Sequence, residues 1–152
     1  MPEGGVVFDS LGNLYGTAAT GGENFGCDGE GCGTVFELSP ATRGPWKFTR
    51  LYAFSDKHTQ YGFYPSGTPV LDSAGNLYCV TGEGGAFEYG VVFKLALSSG
   101  VWHETVLHSF NFTAHDGAAP YGGMVSDSSG NLYGADMSGG KYGVGAIFEI
   151  SP

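Results

Sequence analysis

Along this chain apolar side chains alternate with polar ones in short runs, and each run stops at Gly, Pro, Asn or Asp. GTVFEL from Gly33, GVVFKL from Gly90 and GAIFEI from Gly145 have that form, as do WKFTRLYAF from Trp46 and WHETVLHSF from Trp102. A period of two bounded by turn residues predicts β-strands, because successive side chains of a strand point to opposite faces. Nowhere do apolar residues recur at i, i+3, i+4 and i+7 over three turns, so no helical stretch is expected. The expected fold class is all-β.

The runs recur in a fixed order. DSLGNLY from Asp9, DSAGNLY from Asp72 and DSSGNLY from Asp127 differ only in their third letter. Each follows a Pro-led apolar segment (Pro2, Pro65, Pro120) and precedes a Gly pair (Gly21-Gly22, Gly84-Gly85, Gly139-Gly140) and a GxxF strand. The repeat units are 2–64, 65–119 and 120–152, the last incomplete, within a single repeat domain spanning 1–152. The eight residues by which the first interval exceeds the second fall between the blocks, where loops belong, six of them in the segment that carries Cys27 and Cys32.

Each full unit offers four strands, A to D: the Pro-led segment, the Leu-Tyr segment, the GxxF segment and the Trp-to-Phe segment. Four short strands in a repeat of about 50 residues predict β-propeller blades of four antiparallel strands rather than a sandwich or an irregular solenoid. The chain supplies two full blades and one three-stranded blade. Propellers close with about four to eight blades, so closure by oligomerisation is expected, a homodimer making one six-bladed ring. The competing expectation is a fragment of a longer array.

The heptad lies between strands A and B. Asp accepts hydrogen bonds from backbone N–H groups just ahead of it, and the following Gly and Asn tolerate positive φ. A calcium loop of the EF type needs Gly sixth, and here it is fourth. The heptad is therefore expected to be a structural joint in all three copies.

Composition narrows the partners. Gly makes up 28 of 152 residues without a Gly-X-Y period, which excludes collagen. Fifteen acids against six bases give a net charge of −9, which argues against a nucleic-acid partner. No apolar run approaches the roughly 18 residues of a membrane span, and Met1-Pro2-Glu3-Gly4 has no signal-peptide character. Cys27 and Cys32, in GCDGEGCG, lack the second ligand pair of a zinc site. A short disulfide ring is favoured there over two free thiols, and it implies an oxidising compartment. Cys79 stands alone in a strand. No metal and no cofactor is expected.

The string PxGG…DSxGNLYGT…GG…GTVFEL…W…LYxF resembles the GloVer tandem-repeat family, the choice-of-anchor repeats of bacterial surface proteins. The resemblance covers almost the whole chain. It implies an exported bacterial protein at the cell surface or outside the cell, often tethered by a sorting signal, and brings no catalytic residues with it. It also favours the disulfide. The chain departs from the pattern at Cys79, where the family has Gly, and in the lead-in to strand A, Asp116-Gly117 in one unit but Tyr61-Gly62 in the other.

Antiparallel succession sorts the connections into two sets. A–B and C–D turns share one end, while the long B–C and D–A segments share the other. Variable loops on a rigid scaffold are the usual seat of function. That end carries aromatics beside acids, a composition suited to sugar rings, whose apolar faces stack while their hydroxyls need acceptors. The candidate ligand-binding residues are Phe25, Asp56, His58, Tyr61, Phe87, Tyr89, His115, Asp116 and Tyr142. His103 and His108 have opposite parity in strand D and are not expected to serve one site. No G-x-S-x-G elbow occurs, and the Gly-rich run at 21–33 lacks the Lys-Ser/Thr of a phosphate loop. The leading expectation is an extracellular propeller module that binds or scaffolds, recognising carbohydrate or a cell-surface partner. The alternatives are a glycoside hydrolase or lyase with acids at the axial mouth, and a purely structural repeat assembly.

Overall fold

The computed structural model describes residues 1–22 and 26–152. Eleven strands are present among them. β1 (Val7–Phe8), β2 (Leu14–Ala18), β3 (Thr34–Ser39) and β4 (Lys47–Ala53) form a four-stranded antiparallel sheet in that order. The others are β5 (Phe63–Leu71), β6 (Leu77–Glu83), β7 (Val91–Ser98), β8 (Val101–Ser109), β9 (Gly117–Ser126), β10 (Leu132–Gly139) and β11 (Ile147–Ile150). They share one seven-stranded sheet, ordered β11-β10-β9-β5-β6-β7-β8. The expected grouping into three separate sheets is thus corrected at one point: Thr68 and Gly123 pair in parallel and link β5 to β9. Among the described residues one 3-10 turn, Asp56–Tyr61, is the only helical element, its first turn capped by the Ser55 hydroxyl accepting from the Lys57 N–H.

The repeated heptad closes a hairpin each time. The Asp72 carboxylate accepts the N–H groups of Ala74 (2.9 Å) and Asn76 (2.8 Å), the Asn76 side-chain amide (2.8 Å) and the Tyr78 hydroxyl (3.1 Å). Asp9 and Asp127 hold the same four partners in their own copies, Leu11, Asn13 and Tyr15 in one and Ser129, Asn131 and Tyr133 in the other. Gly12, Gly75 and Gly130 all have φ near +85°, which fixes Gly at the fourth letter. Every polar letter of DSxGNLY except the Ser therefore has a role inside its own turn.

The Pro-x-Gly segments do something different: they bring the leading segments of successive units together. A Cβ on Gly4 would overlap the Gly67 backbone, and one on Gly67 would overlap the Gly123 backbone. Main chain meets main chain at both contacts, so these positions tolerate no side chain. Polar links run beside them, from the Thr17 hydroxyl to the Gly67 carbonyl (2.8 Å) and from the Gly5 N–H to the Thr68 hydroxyl (2.9 Å). The same contact explains why β1 is only two residues long, because the stretch before it packs across β5 through Gly5 and makes no ladder of its own.

Two apolar layers fill the spaces between successive units. Val35, Phe54, Leu77, Cys79, Phe93 and Leu95 pack between β1–β4 and β5–β8. Tyr78, Val80, Val92, Phe110, Met124 and Leu132 pack between β5–β8 and β9–β11. In each unit the GxxF phenylalanine lies across its cross-strand partner: Phe36 over Gly16, Phe93 beside Cys79, Phe148 over Gly134. A small residue is needed there, and Cys79, a fully enclosed free thiol, meets that need where the other units use Gly. Burial pushes its thiol pKa up, and the nearby Glu104 charge adds to this. The Cys27–Cys32 disulfide closes its expected ring, with Cα atoms 5.2 Å apart. The Cys32 carbonyl accepts the Tyr64 N–H (3.0 Å), which ties the ring to the start of β5.

One acid lies inside the first layer. The Glu104 oxygens are buried and lack hydrogen bonds of ordinary geometry among the described residues, although the Tyr52 hydroxyl is close enough to interact. Burial raises its carboxyl from 4.5 to about 8, only partly offset by Tyr52. Folding therefore favours the protonated form. Its contribution to stability is complete below the unfolded value of 4.5 and is lost as pH rises through about 8. Denaturant midpoints measured across that range are expected to fall for the parent protein and to fall less for Glu104→Gln. An equally steep fall in the variant contradicts the assignment.

Asp72→Ala removes a local brace and is expected to cost roughly 1 kcal/mol in urea unfolding, as for a partly exposed hydrogen-bond acceptor. Burial pushes the Asp72 carboxyl up, but the hydrogen bonds from Asn76, Tyr78 and Ala74 outweigh it and hold the pKa below 3.8. The cost is therefore present above that unfolded value and vanishes as pH falls through the lower folded one. A variant as stable as the parent at neutral pH contradicts the bracing role.

Candidate functional site

The long connections gather at one end and are stitched to one another there. The segment after β6 donates the Gly85 N–H to the Thr59 carbonyl (2.6 Å) in the 3-10 turn. One unit later, Gly140 donates to the carbonyls of Thr113 (3.2 Å) and Asp116 (2.8 Å). Within the second unit's lead-out, Ala119 donates to Tyr89 (2.9 Å), as Tyr64 does to Cys32 one unit before. Among the described residues seven other than glycine have positive φ, and all but Ser99 sit at this end: Cys27, Asp28, Tyr64, Glu88, Phe112 and Ala119. Backbone strain of that kind persists only where surrounding contacts enforce it.

Aromatic rings line this end. Tyr89 and Phe112 stack with centroids 5.2 Å apart and planes 24° from parallel, both largely exposed. His58 and Tyr61 meet edge to face at 6.3 Å. Phe87 and Tyr142 are exposed, and the Lys141 ammonium sits 5.3 Å from the Tyr142 ring centre. Tyr64 lies in an acidic surround: burial raises its hydroxyl pKa, and the charges of Asp28, Glu83 and Glu30 raise it further.

Next to the stacked pair, where Phe112 donates its N–H to the Gly117 carbonyl (3.2 Å), a cleft of about 300 Å³ opens along β11. His108, His115, Asp116 and Asp136 line it. Asp116 is firmly held, accepting from the Gly117 N–H (2.9 Å) and the Asn111 N–H (3.1 Å), with both oxygens 3.1 Å from His108 Nε2. Phe110 supports the imidazole edge-on at 4.8 Å. Asp136 is the opposite case. It is 8% exposed, and neither oxygen has a hydrogen-bond partner among the described residues. Burial, then the Asp116 charge, raise its carboxyl from 3.8 to about 7. Only a glycine at 117 leaves room for it, since a Cβ there would overlap the carboxylate. The corresponding residue one unit earlier is Thr81, whose hydroxyl accepts from the Val91 N–H (3.2 Å) and donates to the Glu83 carbonyl (3.0 Å). The third unit has exchanged a satisfied hydroxyl for an unsatisfied acid.

Of the residues expected from sequence, His115 and Asp116 fall in this cleft, and Tyr89 stands beside it through Phe112. Asp56, His58 and Tyr61 form a separate group on the 3-10 turn. Phe87 and Tyr142 are exposed on their own loops, and Phe25 lies outside the described residues. His108 was missed because the parity argument fails. A bulge sets Val92 opposite His108 but Phe93 opposite Val106, which turns His103 and His108 to the same face of the sheet. They remain four β7 residues apart and do not share the cleft. Asp136 had a legible signal: self-alignment puts an acid where the other units have Ala18 and Thr81. Among the described residues no three His, Cys, Asp or Glu side chains are grouped to hold a metal ion.

A family profile, the Gloeobacter/Verrucomicrobia repeat, matches residues 1–152. No curated protein and no solved structure matches the chain. Three copies of one hairpin and of one phenylalanine-over-small-residue pair, joined by two glycine contacts, show the repeat in the folded chain. The chain belongs to the Gloeobacter/Verrucomicrobia (GloVer) repeat family.

Proposed function

We propose that this chain is an extracellular propeller-type module that binds carbohydrate at its loop-rich end. Its three sheet segments would be blades, with β1, β5 and β9 innermost. The face-to-face layers between successive units and the parallel alignment of β5 with β9 support that arrangement. The disulfide supports export, since such bonds persist in oxidising compartments.

One observation carries the ligand class: the exposed Tyr89–Phe112 stack is tied by the Phe112 N–H to the carbonyl of Gly117, the neighbour of Asp116, whose carboxylate lines the adjoining cleft. A sugar presents an apolar ring face to such a platform and hydroxyl donors to such acceptors. A glycan array read with the whole chain is expected to return a restricted set of hits. Phe112→Ala is expected to weaken the best of them about fivefold in titration calorimetry, as for an aromatic contact worth about 1 kcal/mol. An array without hits, or full affinity in the variant, overturns the proposal.

A second reading, glycoside hydrolysis or elimination, draws on the same pair. A carboxyl kept protonated beside a charged one is the division of labour between acid and base in such reactions. Asp136 would be the proton donor. Its raised pKa contributes stability that is complete below 3.8 and lost as pH rises through about 7, so Asp136→Asn is expected to flatten the fall in melting temperature over that range. Under the catalytic reading the same variant abolishes cleavage of an array hit while still binding it. Absence of cleavage by the parent protein leaves binding alone.

A further inference from the structure

The two outer faces of the fold are exposed and apolar, and they are not alike. Self-alignment explains why. Positions Val35, Val92 and Ile147 correspond, as do Val7, Val70 and Val125. In the first two units these residues face the following unit inside an apolar layer. In the third they face outward, with Ile147 79% and Val125 68% exposed. The converse holds for the face that looks back. Phe93 and Leu95 pack on the first unit, and Phe148 and Ile150 on the second. Their counterparts Phe36 and Leu38 line an open apolar groove on the first sheet together with Phe48, itself 59% exposed.

Within residues 1–152, then, one outer face has the forward character of the internal layers and the other the backward character, and no unit of these residues covers either. Sequence sets both with the residue types that the two internal layers use. Val125 and Ile147 offer what Val70 and Val92 offer to Phe148 and Ile150. Phe36 and Leu38 offer what Phe93 and Leu95 offer to Val7 and Val35. Within the fold forward meets backward at each layer. Leaving both faces in water exposes large side chains that association would bury.

We propose that a second copy of this chain docks head to tail, its first sheet (β1–β4) seated on the outer face of β9–β11, with the same contact repeated at the other end of the pair. Two copies place six sheet segments around one axis, within the range in which propellers close. The contact is heterologous: the surface around Ile147 of one copy meets the surface around Phe48 of the other. Position 48 also shows the first unit adapted to this junction. It carries Phe where the second unit buries Glu104. The docking rests on the propeller arrangement proposed above and is independent of what the loops bind.

Light scattering on the purified chain, with two surface variants, tests it. The parent is expected at twice the chain mass of 15.8 kDa. Ile147→Asp and Phe48→Asp alter exposed side chains on opposite faces, so both are expected to keep the parent's circular dichroism and to run as monomers. Mixing them restores one undamaged junction, between the intact forward face of the Phe48 variant and the intact backward face of the Ile147 variant. The mixture is therefore expected to recover the pair mass at higher concentration. Dissociation by only one variant, with no recovery on mixing, indicates a face meeting its own copy and overturns the head-to-tail contact. A parent monomer also overturns it, and one that still binds glycan does so without touching the ligand proposal. Masses that grow beyond two copies overturn the closed pair.

Discussion

Main chain against main chain, at Gly4 on Gly67 and at Gly67 on Gly123, is the constraint on which the rest of this fold depends. With no side chain between them, the leading segments of successive units approach until one backbone meets the next. That separation determines how far apart the sheet faces stand. It leaves space for one apolar layer, which Val35, Phe93 and their counterparts fill from both sides. A larger residue at any of the three positions would spread the units and open both the layer and the loop contacts beyond it.

Much of this architecture was legible because repetition turns one chain into its own alignment. Asp72 could be read as a brace because Asp9 and Asp127 repeat it with the same Asn and Tyr, and the eleven strands follow from the same blocks. What the repeats do not encode is how strands deviate from a regular ladder. The bulge opposite Val92 and Phe93 has no marker in WHETVLHSF, so His108 could not be placed, and the 3-10 turn replaces a loop only through Ser55 and the local Asp56–Tyr61 backbone. The β5–β9 pairing was equally hidden, since it depends on two backbones meeting and not on side-chain pattern. Side chains that break the repeat are informative in another way. Glu104 and Asp136 each stand where a sibling unit has an apolar or hydroxyl residue, and the carboxyl oxygens of both are buried without a hydrogen bond of ordinary geometry among the described residues.

The two internal junctions also differ in chemistry at equivalent places. Tyr52 and Tyr61 in the first correspond to His108 and Asp116 in the second. The Tyr52 phenol, beside Glu104, gives way to an imidazole–carboxylate pair that lines a cleft with Asp136. The scaffold is unchanged by the exchange, because the Asp116 carboxylate still ties into the backbone through Gly117 and Asn111. Variation in such a repeat is thus concentrated where connections meet, while the glycine contacts and braces stay fixed.

The stitches between connections, Gly85 to Thr59 and Gly140 to Thr113, join each unit only to its neighbour. Such a molecule unravels like a short stack of plates and not like a single globule. Within one chain, freeing the first or the third unit sacrifices one apolar layer, whereas freeing the middle one sacrifices two. Amide hydrogens of β6 and β7 are consequently the last to meet solvent, and the slowest exchange in the chain belongs to the strands around Cys79.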